Sequence, residues 1–133
     1  TAQWEGWNEV EADLRCCDVY SGNTDRLEIT LGEHPGFQRW LRRLAPTGPY
    51  GLTERGFTLR KNPHGAPIRA GAIKREAAWL RDSPDGRRCS LYLYWSSLGA
   101  ENDKGMPVTD EGGREAIREL FGALRRNAVP APA

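Results

Sequence analysis

Nucleophilic and basic side chains are the first residues to examine for chemistry. A catalytic nucleophile needs a neighbouring base to activate it. The chain offers Cys89, Ser96 and Ser97 as nucleophiles, and two histidines, His34 and His64, as bases. Both histidines lie among turn-forming residues, and His64 sits inside a Pro-His-Gly turn where it needs no catalytic role. No sequence motif therefore indicates a reaction type. If the protein is an enzyme, its active site must consist of residues that are far apart in sequence.

Metal and phosphate sites have spacing signatures that this chain lacks. Its three cysteines, Cys16, Cys17 and Cys89, form no C-x-x-C pair, and its histidines form no H-x-x-x-H pair. The acidic run at 101–105 matches a calcium loop only in part, because Lys104 falls among the ligand positions and the later glutamate is missing. Neither glycine-rich phosphate-binding motif is present. We therefore predict no metal and no cofactor, and we expect reduced thiols in a cytoplasmic protein.

Charge is distributed unevenly along the chain. The net charge is +1, but residues 1–38 carry −6, residues 39–88 carry +8 and residues 89–133 carry −1. Sixteen of the nineteen basic residues are arginine, which binds carboxylate and phosphate groups through paired hydrogen bonds. A GC-rich coding sequence would produce the same bias. The candidate partner-binding residues, taken from the basic segment, the strongest strand and the polar loop, are Arg39, Arg42, Arg43, Arg60, Lys61, Arg69, Tyr92, Tyr94, Glu101, Asp103 and Lys104.

Three partners fit this charge distribution. An acidic surface on another protein is one, and the phosphate backbone of a nucleic acid is another. The third is the chain's own acidic first segment, which would neutralise the basic segment internally. Another protein is the partner that we predict, because segregated charge occurs here without any catalytic motif. No apolar run is long enough to span a membrane, so a membrane partner is not expected.

The strongest strand signal is Arg-Cys-Ser-Leu-Tyr-Leu-Tyr-Trp at 88–95, and we expect it to be the central strand of a sheet. Alternation places the cysteine, both leucines and the tryptophan on the core face. Tyr92 and Tyr94 fall on the other face, which is either wet or covered by a helix that supplies partners for the hydroxyl groups.

Other strands are predicted on both sides of a first helix. Residues 9–20 alternate, with a shift at Cys16-Cys17 that indicates a bulge, and residues 26–31 return to complete a β-hairpin. Residues 57–61 form a short strand, and the Asn-Pro-His-Gly turn at 62–65 predicts a second hairpin. Residues 68–82 contain strong helix formers, but turns flank them, and we favour a strand over a helix.

Two amphipathic helices complete the prediction. Pro35 begins the first, whose apolar stripe is Phe37, Trp40, Leu41 and Leu44, and Pro46 ends it. After a polar loop at 97–109, a second helix begins with Thr109 as its N-cap. Its apolar stripe consists of Ile117, Leu120, Phe121 and Leu124.

The sequence thus predicts one α+β domain at 1–128, followed by a Pro/Ala tail or linker at 129–133. Its antiparallel sheet of about four to five strands carries two amphipathic helices on one face, in the order strand, strand, helix, strand, strand-or-helix, strand, helix. The predicted core is Val10, Leu14, Leu27, Ile29, Leu31, Phe37, Trp40, Leu41, Leu44, Phe57, Leu59, Leu91, Leu93, Trp95, Ile117, Leu120, Phe121 and Leu124. The predicted function is a small non-enzymatic binding module, inhibitor- or immunity-like, that engages another protein through segregated charge and the 97–109 loop. A nucleic-acid-binding domain that uses the Arg-rich middle segment is the first alternative, and an enzyme is the second.

Overall fold

Strands and helices alternate along the chain. The computed structural model describes residues 6, 9–21, 29–59, 64–95 and 108–127. In these ranges the elements are β1 (Arg15–Ser21), α1 (Pro35–Leu44), β2 (Tyr50–Phe57), α2 (Ala66–Asp82), α3 (Pro84–Arg87), β3 (Cys89–Tyr94) and α4 (Glu111–Asn127). No helix in these ranges is long and apolar enough to cross a membrane.

The sheet has three strands in the order β1-β2-β3, and both neighbouring pairs are parallel. The predicted antiparallel sheet of four to five strands is therefore wrong, although the chain does combine a sheet with helices as expected. Parallel neighbours need a crossover connection, and α1 and α2 supply one each. Residues 29–31 are not a strand, and the rest of the predicted 26–31 strand lies outside the described residues.

The wrong prediction with the largest consequence for the fold concerns the segment that forms α2. Residues 68–82 were expected to form a strand, but they lie within a helix that begins just after the expected hairpin turn. Its buried face includes the apolar Ala72, Ile73 and Leu80, but also the charged Arg69 and Glu76. These two charges interrupt the apolar repeat in the sequence, so the pattern did not indicate an amphipathic helix.

The first predicted helix, α1, is confirmed. It begins at Pro35 and buries the four predicted apolar residues. The His34 side chain acts as its N-cap, because Nδ1 accepts a hydrogen bond of 3.1 Å from the Phe37 N–H. The Phe37 ring contacts Tyr50 of β2 and Trp79 of α2, with centroid separations of 5.7 and 6.2 Å. The helices α1 and α2 therefore lie on the same face of the sheet.

The last helix, α4, is also confirmed, with a different cap and a different buried stripe. Asp110 rather than Thr109 caps it, since its carboxylate accepts a 2.7 Å hydrogen bond from the Gly113 N–H. Leu120 is buried as predicted, but Phe121 is 39% exposed. The buried stripe is completed by small residues that pack against α2: Gly113, Ala116 and Ala123.

The strand β3 lies at an edge of the sheet, and β2 is the middle strand. The prediction had β3 in the centre and a short strand at 57–61, whereas the middle strand β2 covers Tyr50–Phe57. The core face of β3 was also wrong, because Tyr92 is buried while Leu93 is 51% exposed. The pairing of β2 with β3 is irregular next to Cys89, so alternation did not continue through the strand.

The core lies between the sheet and the helices. Its confirmed members are Leu31, Phe37, Trp40, Leu41, Leu44, Phe57 and Leu120. The sequence missed Tyr50, Leu52, Ala72, Ile73, Leu80 and Tyr92. Half-buried positions are Ile29, Leu59, Leu91, Ile117 and Leu124, and Leu27 lies outside the described residues. The predicted core residues that are instead exposed are Val10, Leu14, Leu93, Trp95 and Phe121.

Candidate functional site

One face of the sheet is not covered by any helix of the described ranges. We call it the open sheet face and define it by Leu14, Cys16, Asp18, Tyr20, Thr53, Glu54, Leu91, Leu93 and Trp95. Parallel sheets normally have both faces covered. Here α1, α2 and α4 share the opposite face, and Leu93 and Trp95 of the open face keep 51% and 38% of their surface exposed. This face therefore departs from the usual burial of a parallel sheet.

A bulge in the middle strand brings polar groups to the open sheet face. The register shifts between Cys17 and Asp18, so Thr53 and Glu54 both turn outward. The Thr53 hydroxyl donates to the Asp18 carboxylate over 2.6 Å. The Tyr20 hydroxyl donates to the Glu54 carboxylate. Both acids are thus held in place beside the apolar residues.

Two aromatic rings meet on this face. The main-chain N–H of Trp95 donates to the Arg55 carbonyl over 2.9 Å, which places Trp95 next to the end of β2. Tyr20 pairs with Gly56 in the β1–β2 register. Their rings make an edge contact with a centroid separation of 5.7 Å and an interplanar angle of 72°. This contact orients the Trp95 indole while more than a third of its surface stays exposed.

The apolar centre of the face depends on Gly51. A Cβ atom at this position would lie 2.8 Å from Cys16 Sγ and 3.0 Å from Leu91 Cβ. Glycine therefore lets side chains of the two outer strands approach each other across the middle strand. Beside β1 the surface continues into a cavity of about 140 Å³, lined by Val10, Ala12, Leu14, Arg15, Cys16, Trp40 and Leu44.

Acidic residues surround this apolar centre. Glu9, Glu11 and Asp13 are exposed in the segment that leads into β1. Asp18 and Glu54 lie on the face itself, and the single basic residue of residues 9–21, Arg15, donates to the Val10 carbonyl over 2.7 Å. The open sheet face therefore combines an apolar centre with a negatively charged rim.

A buried ion pair anchors the opposite side of the sheet to α2. Arg55 of β2 and Glu76 of α2 are both fully buried and lie 2.7 Å apart. Glu76 also accepts hydrogen bonds from the Leu31 N–H, at 2.9 Å, and from the Tyr92 hydroxyl. Burial raises the pKa of Tyr92 well above its ordinary value, so the hydroxyl keeps the proton that it donates.

The same arginine is satisfied on its other side. Its guanidinium donates to the Ser21 hydroxyl at 3.0 Å and to the Ile29 carbonyl at 3.3 Å. It also lies 4.1 Å from the centroid of the Phe57 ring. Because this network is closed to solvent, its role is to join the middle strand to α2 and to fix the sheet behind the open face.

The predicted partner-binding residues are separated by the fold. Arg39, Arg42 and Arg43 are exposed on α1. Arg69 is buried, pairs with Asp110 at 3.2 Å and donates to the Phe57 carbonyl. Tyr92 is buried against Glu76, and the half-buried Tyr94 stacks on Phe57. The candidates at 60, 61, 101, 103 and 104 (Arg60, Lys61, Glu101, Asp103 and Lys104) lie outside the described residues.

The nucleophile and base candidates have other surroundings. Cys89 is buried, and burial raises the pKa of its thiol to about 12. His34 is occupied as the cap of α1, and burial lowers the pKa of its imidazole. His64 is exposed, while Ser96 and Ser97 fall outside the described ranges. Within those ranges, no three His, Cys, Asp or Glu side chains gather as a metal site.

Sequence reasoning missed the residues that are most exposed on the open sheet face. Leu14, Leu93 and Trp95 were assigned to the core because they are apolar and alternate with polar residues. Asp18 and Glu54 share this face and could have indicated that it is exposed. Their position becomes apparent only when the register of β1 and β2 is known.

Comparison with known proteins leaves the function to be argued from this geometry. No protein family, curated protein or solved structure matches the chain.

Proposed function

We propose that this protein is a small non-enzymatic binding module that engages another protein through the open sheet face. The observation that carries the proposal is a parallel sheet with one face uncovered by the described helices, on which Leu93 and Trp95 remain exposed. A patch of this kind, rimmed by polar residues, is typical of protein interaction sites.

The arrangement of residues matches the anatomy of an interface. Interfaces that form between stable proteins have an apolar centre, enriched in aromatic residues, and a polar rim. Here Trp95, Leu93 and Leu91 lie toward one edge and Cys16 and Leu14 toward the other. Tyr20 holds the indole of Trp95 in one orientation, which reduces the entropy lost when a partner covers it.

The acidic rim defines the chemistry of the partner. Glu9, Glu11 and Asp13 beside β1, with Asp18 and Glu54 on the face, favour a partner whose apolar patch is surrounded by lysine or arginine. If that basic surface is functional in the partner, covering it would make this module inhibitor-like.

The 97–109 loop is a separate part of the proposal. It follows Trp95 almost directly along the chain, so we expect it to extend the same contact. Replacing Glu101, Asp103 and Lys104 together with alanine tests this part, and an unchanged affinity for the partner would remove the loop from the proposal.

The test compares the wild-type protein with three single-residue variants, two on the open sheet face and one on α4. Leu93→Arg and Trp95→Ala alter the open sheet face, whereas Phe121→Arg alters an apolar residue on α4 that is about as exposed as Trp95. Circular dichroism first establishes that all three variants fold. Proteins from the source cell that bind the wild type are then purified, and their affinities for each variant are measured by calorimetry.

We expect both open-face variants to weaken binding by a factor of about 30 or more, which corresponds to the ~2 kcal/mol typical of a central interface residue. The Phe121→Arg variant should bind within about twofold of the wild type, since exposed sites away from an interface contribute little. A partner that binds all three variants equally would contradict the proposed face, as would a wild type that retains no more protein than Leu93→Arg.

Alkylation of Cys16 reports on the same contact without a mutation. Its sulfur lies on the open sheet face beside Gly51 and Leu91. A bound partner should slow the alkylation of Cys16. The rate at which an amine-specific reagent labels Lys74, which is exposed on the opposite side of the sheet, should not change. An unchanged Cys16 rate in a saturated complex would place the partner elsewhere.

A further inference from the structure

The edge of the sheet where β2 and β3 begin collects arginine residues from the ends of several helices. Helices that connect parallel strands run back against them, so their carboxyl ends lie where the next strand starts. In this fold α1, α2 and α4 each carry arginine in their last turn. We call this surface the arginine edge, which consists of Arg42, Arg43, Arg81, Arg87, Arg88, Arg125 and Arg126.

Hydrogen bonds between the helix ends show that these segments converge. Arg88 donates to the carbonyl of Ala45, the residue after α1, over 2.9 Å. The Asn127 side chain at the end of α4 donates to the Leu80 carbonyl of α2, over 2.9 Å, and to the Gly86 carbonyl of α3, over 3.3 Å. One surface therefore presents arginines that lie more than eighty residues apart in sequence.

Three of these arginines are occupied within the fold. Arg81 pairs with Asp82 over 2.8 Å, and Arg88 pairs with Asp85 over 3.0 Å. Arg87 donates to the Arg81 carbonyl over 2.9 Å, where it offsets the partial negative charge at the end of α2. These contacts neutralise the two acids and the helix carbonyls at this edge.

Four arginines remain available. Arg42, Arg43, Arg125 and Arg126 are exposed, and none forms a hydrogen bond or ion pair with another described residue. Arg126 does add, after Arg81 and Arg87, to the positive charge that lowers the pKa of Asp82. Holding unpaired like charges together is unfavourable unless a negatively charged partner binds them.

We propose that the arginine edge binds the phosphate backbone of a double-stranded nucleic acid. The guanidinium group matches phosphate geometry with two parallel hydrogen bonds. A protein interface would require exposed apolar residues at its centre. Of the large exposed apolar side chains of the described ranges, Phe121 of α4 borders this edge, one turn before Arg125, but does not lie at its centre. The others lie at the start of α2 (Ile68) and on or beside the open sheet face.

The scarcity of exposed apolar side chains at the arginine edge also favours a duplex over a single strand as its ligand. Proteins that hold single strands stack the bases on exposed aromatic side chains. Of the described aromatic residues that are exposed, Trp95 follows the opposite end of β3, and Phe121 borders this edge one helical turn before Arg125. A single ring at the border does not form a platform on which successive bases stack. The arginine edge therefore contacts phosphates without reading bases, and its binding is independent of sequence.

The number of unpaired arginines sets the salt dependence. Each neutralised phosphate contributes about −0.9 to the slope of log K against log salt concentration, so four contacts give a slope of about −3.6. Raising the salt from 50 to 200 mM should therefore weaken binding by a factor of about 150. Removing two contacts should reduce the slope to about −1.8 and that factor to about 12.

The experiment measures fluorescence anisotropy of a labelled 20-bp DNA duplex with the full chain at 50, 100 and 200 mM salt. Two variants remove one pair of unpaired arginines each, Arg42→Gln with Arg43→Gln and Arg125→Gln with Arg126→Gln. The control, Arg114→Gln with Arg118→Gln, removes the same formal charge from the exposed first half of α4, where Arg118 pairs with Glu111 over 3.4 Å. We expect each edge pair to halve the salt slope and the control to retain at least three quarters of it.

Two further probes distinguish the partner class. A single strand of the same length and poly-glutamate of similar charge should both bind at least fivefold more weakly than the duplex. If poly-glutamate binds as tightly as the duplex, the surface serves an acidic protein and the proposal is wrong. No binding at 100 µM protein in 50 mM salt, or an equal loss in the control, would also overturn it.

Discussion

Replacing Glu76 by glutamine removes the negative charge from the buried pair while keeping the size of the side chain. Arg55 would keep its positive charge, because an arginine guanidinium stays protonated in proteins even when it is buried. Its hydrogen bonds to Ser21 and Ile29 would remain. The guanidinium would then be fully buried without a counter-charge, which is the unfavourable situation for an ionised group.

The structure sets the size of the expected effect. Both side chains are 0% exposed, so solvent does not screen the pair. Removing one partner of a buried pair costs about 3–5 kcal/mol, a large part of the 5–15 kcal/mol that stabilises a typical domain. At roughly 4 °C per kcal/mol, the midpoint of thermal unfolding should fall by about 12–20 °C. Urea unfolding at pH 7, followed by circular dichroism and tryptophan fluorescence, measures the change.

A matched variant separates burial from the loss of an ion pair. Glu115 lies 3.9 Å from Lys74, and both side chains are exposed. Glu115→Gln should therefore change the free energy of unfolding by less than about 1 kcal/mol. Adding Arg55→Met to Glu76→Gln should cost less than the two single losses combined, because the unpaired charge is removed as well. If Glu76→Gln costs no more than Glu115→Gln, the buried network does not hold β2 against α2.

Three further predictions concern other positions. Burial by itself raises the pKa of Asp110, but hydrogen bonds from the Gly113 N–H and from Arg69 lower it overall. The stabilisation by Asp110 is therefore present above pH ~4 and is lost as the pH falls through the folded-state pKa. Asp110→Asn keeps a good helix cap but should remove the loss of stability between pH ~4 and the folded-state pKa. An unchanged dependence of stability on pH would show that the Asp110 charge does not stabilise the fold. Gly86→Ala places a Cβ 2.7 Å from the Leu80 Cα and should cost about 1–3 kcal/mol, whereas Gly71→Ala, with open space in α2, should stabilise by about 0.5–1 kcal/mol. Equal urea midpoints for these two variants would refute the packing argument. Alkylation at pH 8 with peptide mapping should modify Cys16 before Cys89, whose pKa is raised to about 12 by burial, and the reverse order would be inconsistent with the packing of β3.

Local signals in the sequence were sufficient for α1 and α4. Phe37, Trp40, Leu41 and Leu44 have helical spacing, and Pro35 occupies the first position. Such signals depend on residues three or four apart, so they hold in any tertiary setting. The uneven charge along the chain was equally visible, and the fold gathers much of it at the arginine edge.

The direction of the strands depended on α2, and α2 depended on contacts that are distant in sequence. Arg69 and Glu76 interrupt its apolar stripe, and they are tolerated there because Asp110 and Arg55 pair with them. With residues 66–82 in a helix, the chain between β2 and β3 forms the crossover connection that their parallel pairing requires. No pattern within the segment carries that information.

The candidate site divides in the same way. The sequence determined which apolar and aromatic residues β3 contains, but alternation alone leaves open which of its faces meets the helices. Tertiary structure decided this, since the Tyr92 hydroxyl finds a buried acceptor in Glu76 and so Tyr92 can turn inward. Leu93 and Trp95 are consequently left on the open sheet face. Alternation along a strand defines two sets of side chains but does not show which set is buried. Only the residues that each face contacts in the folded protein distinguish the core from an interaction surface.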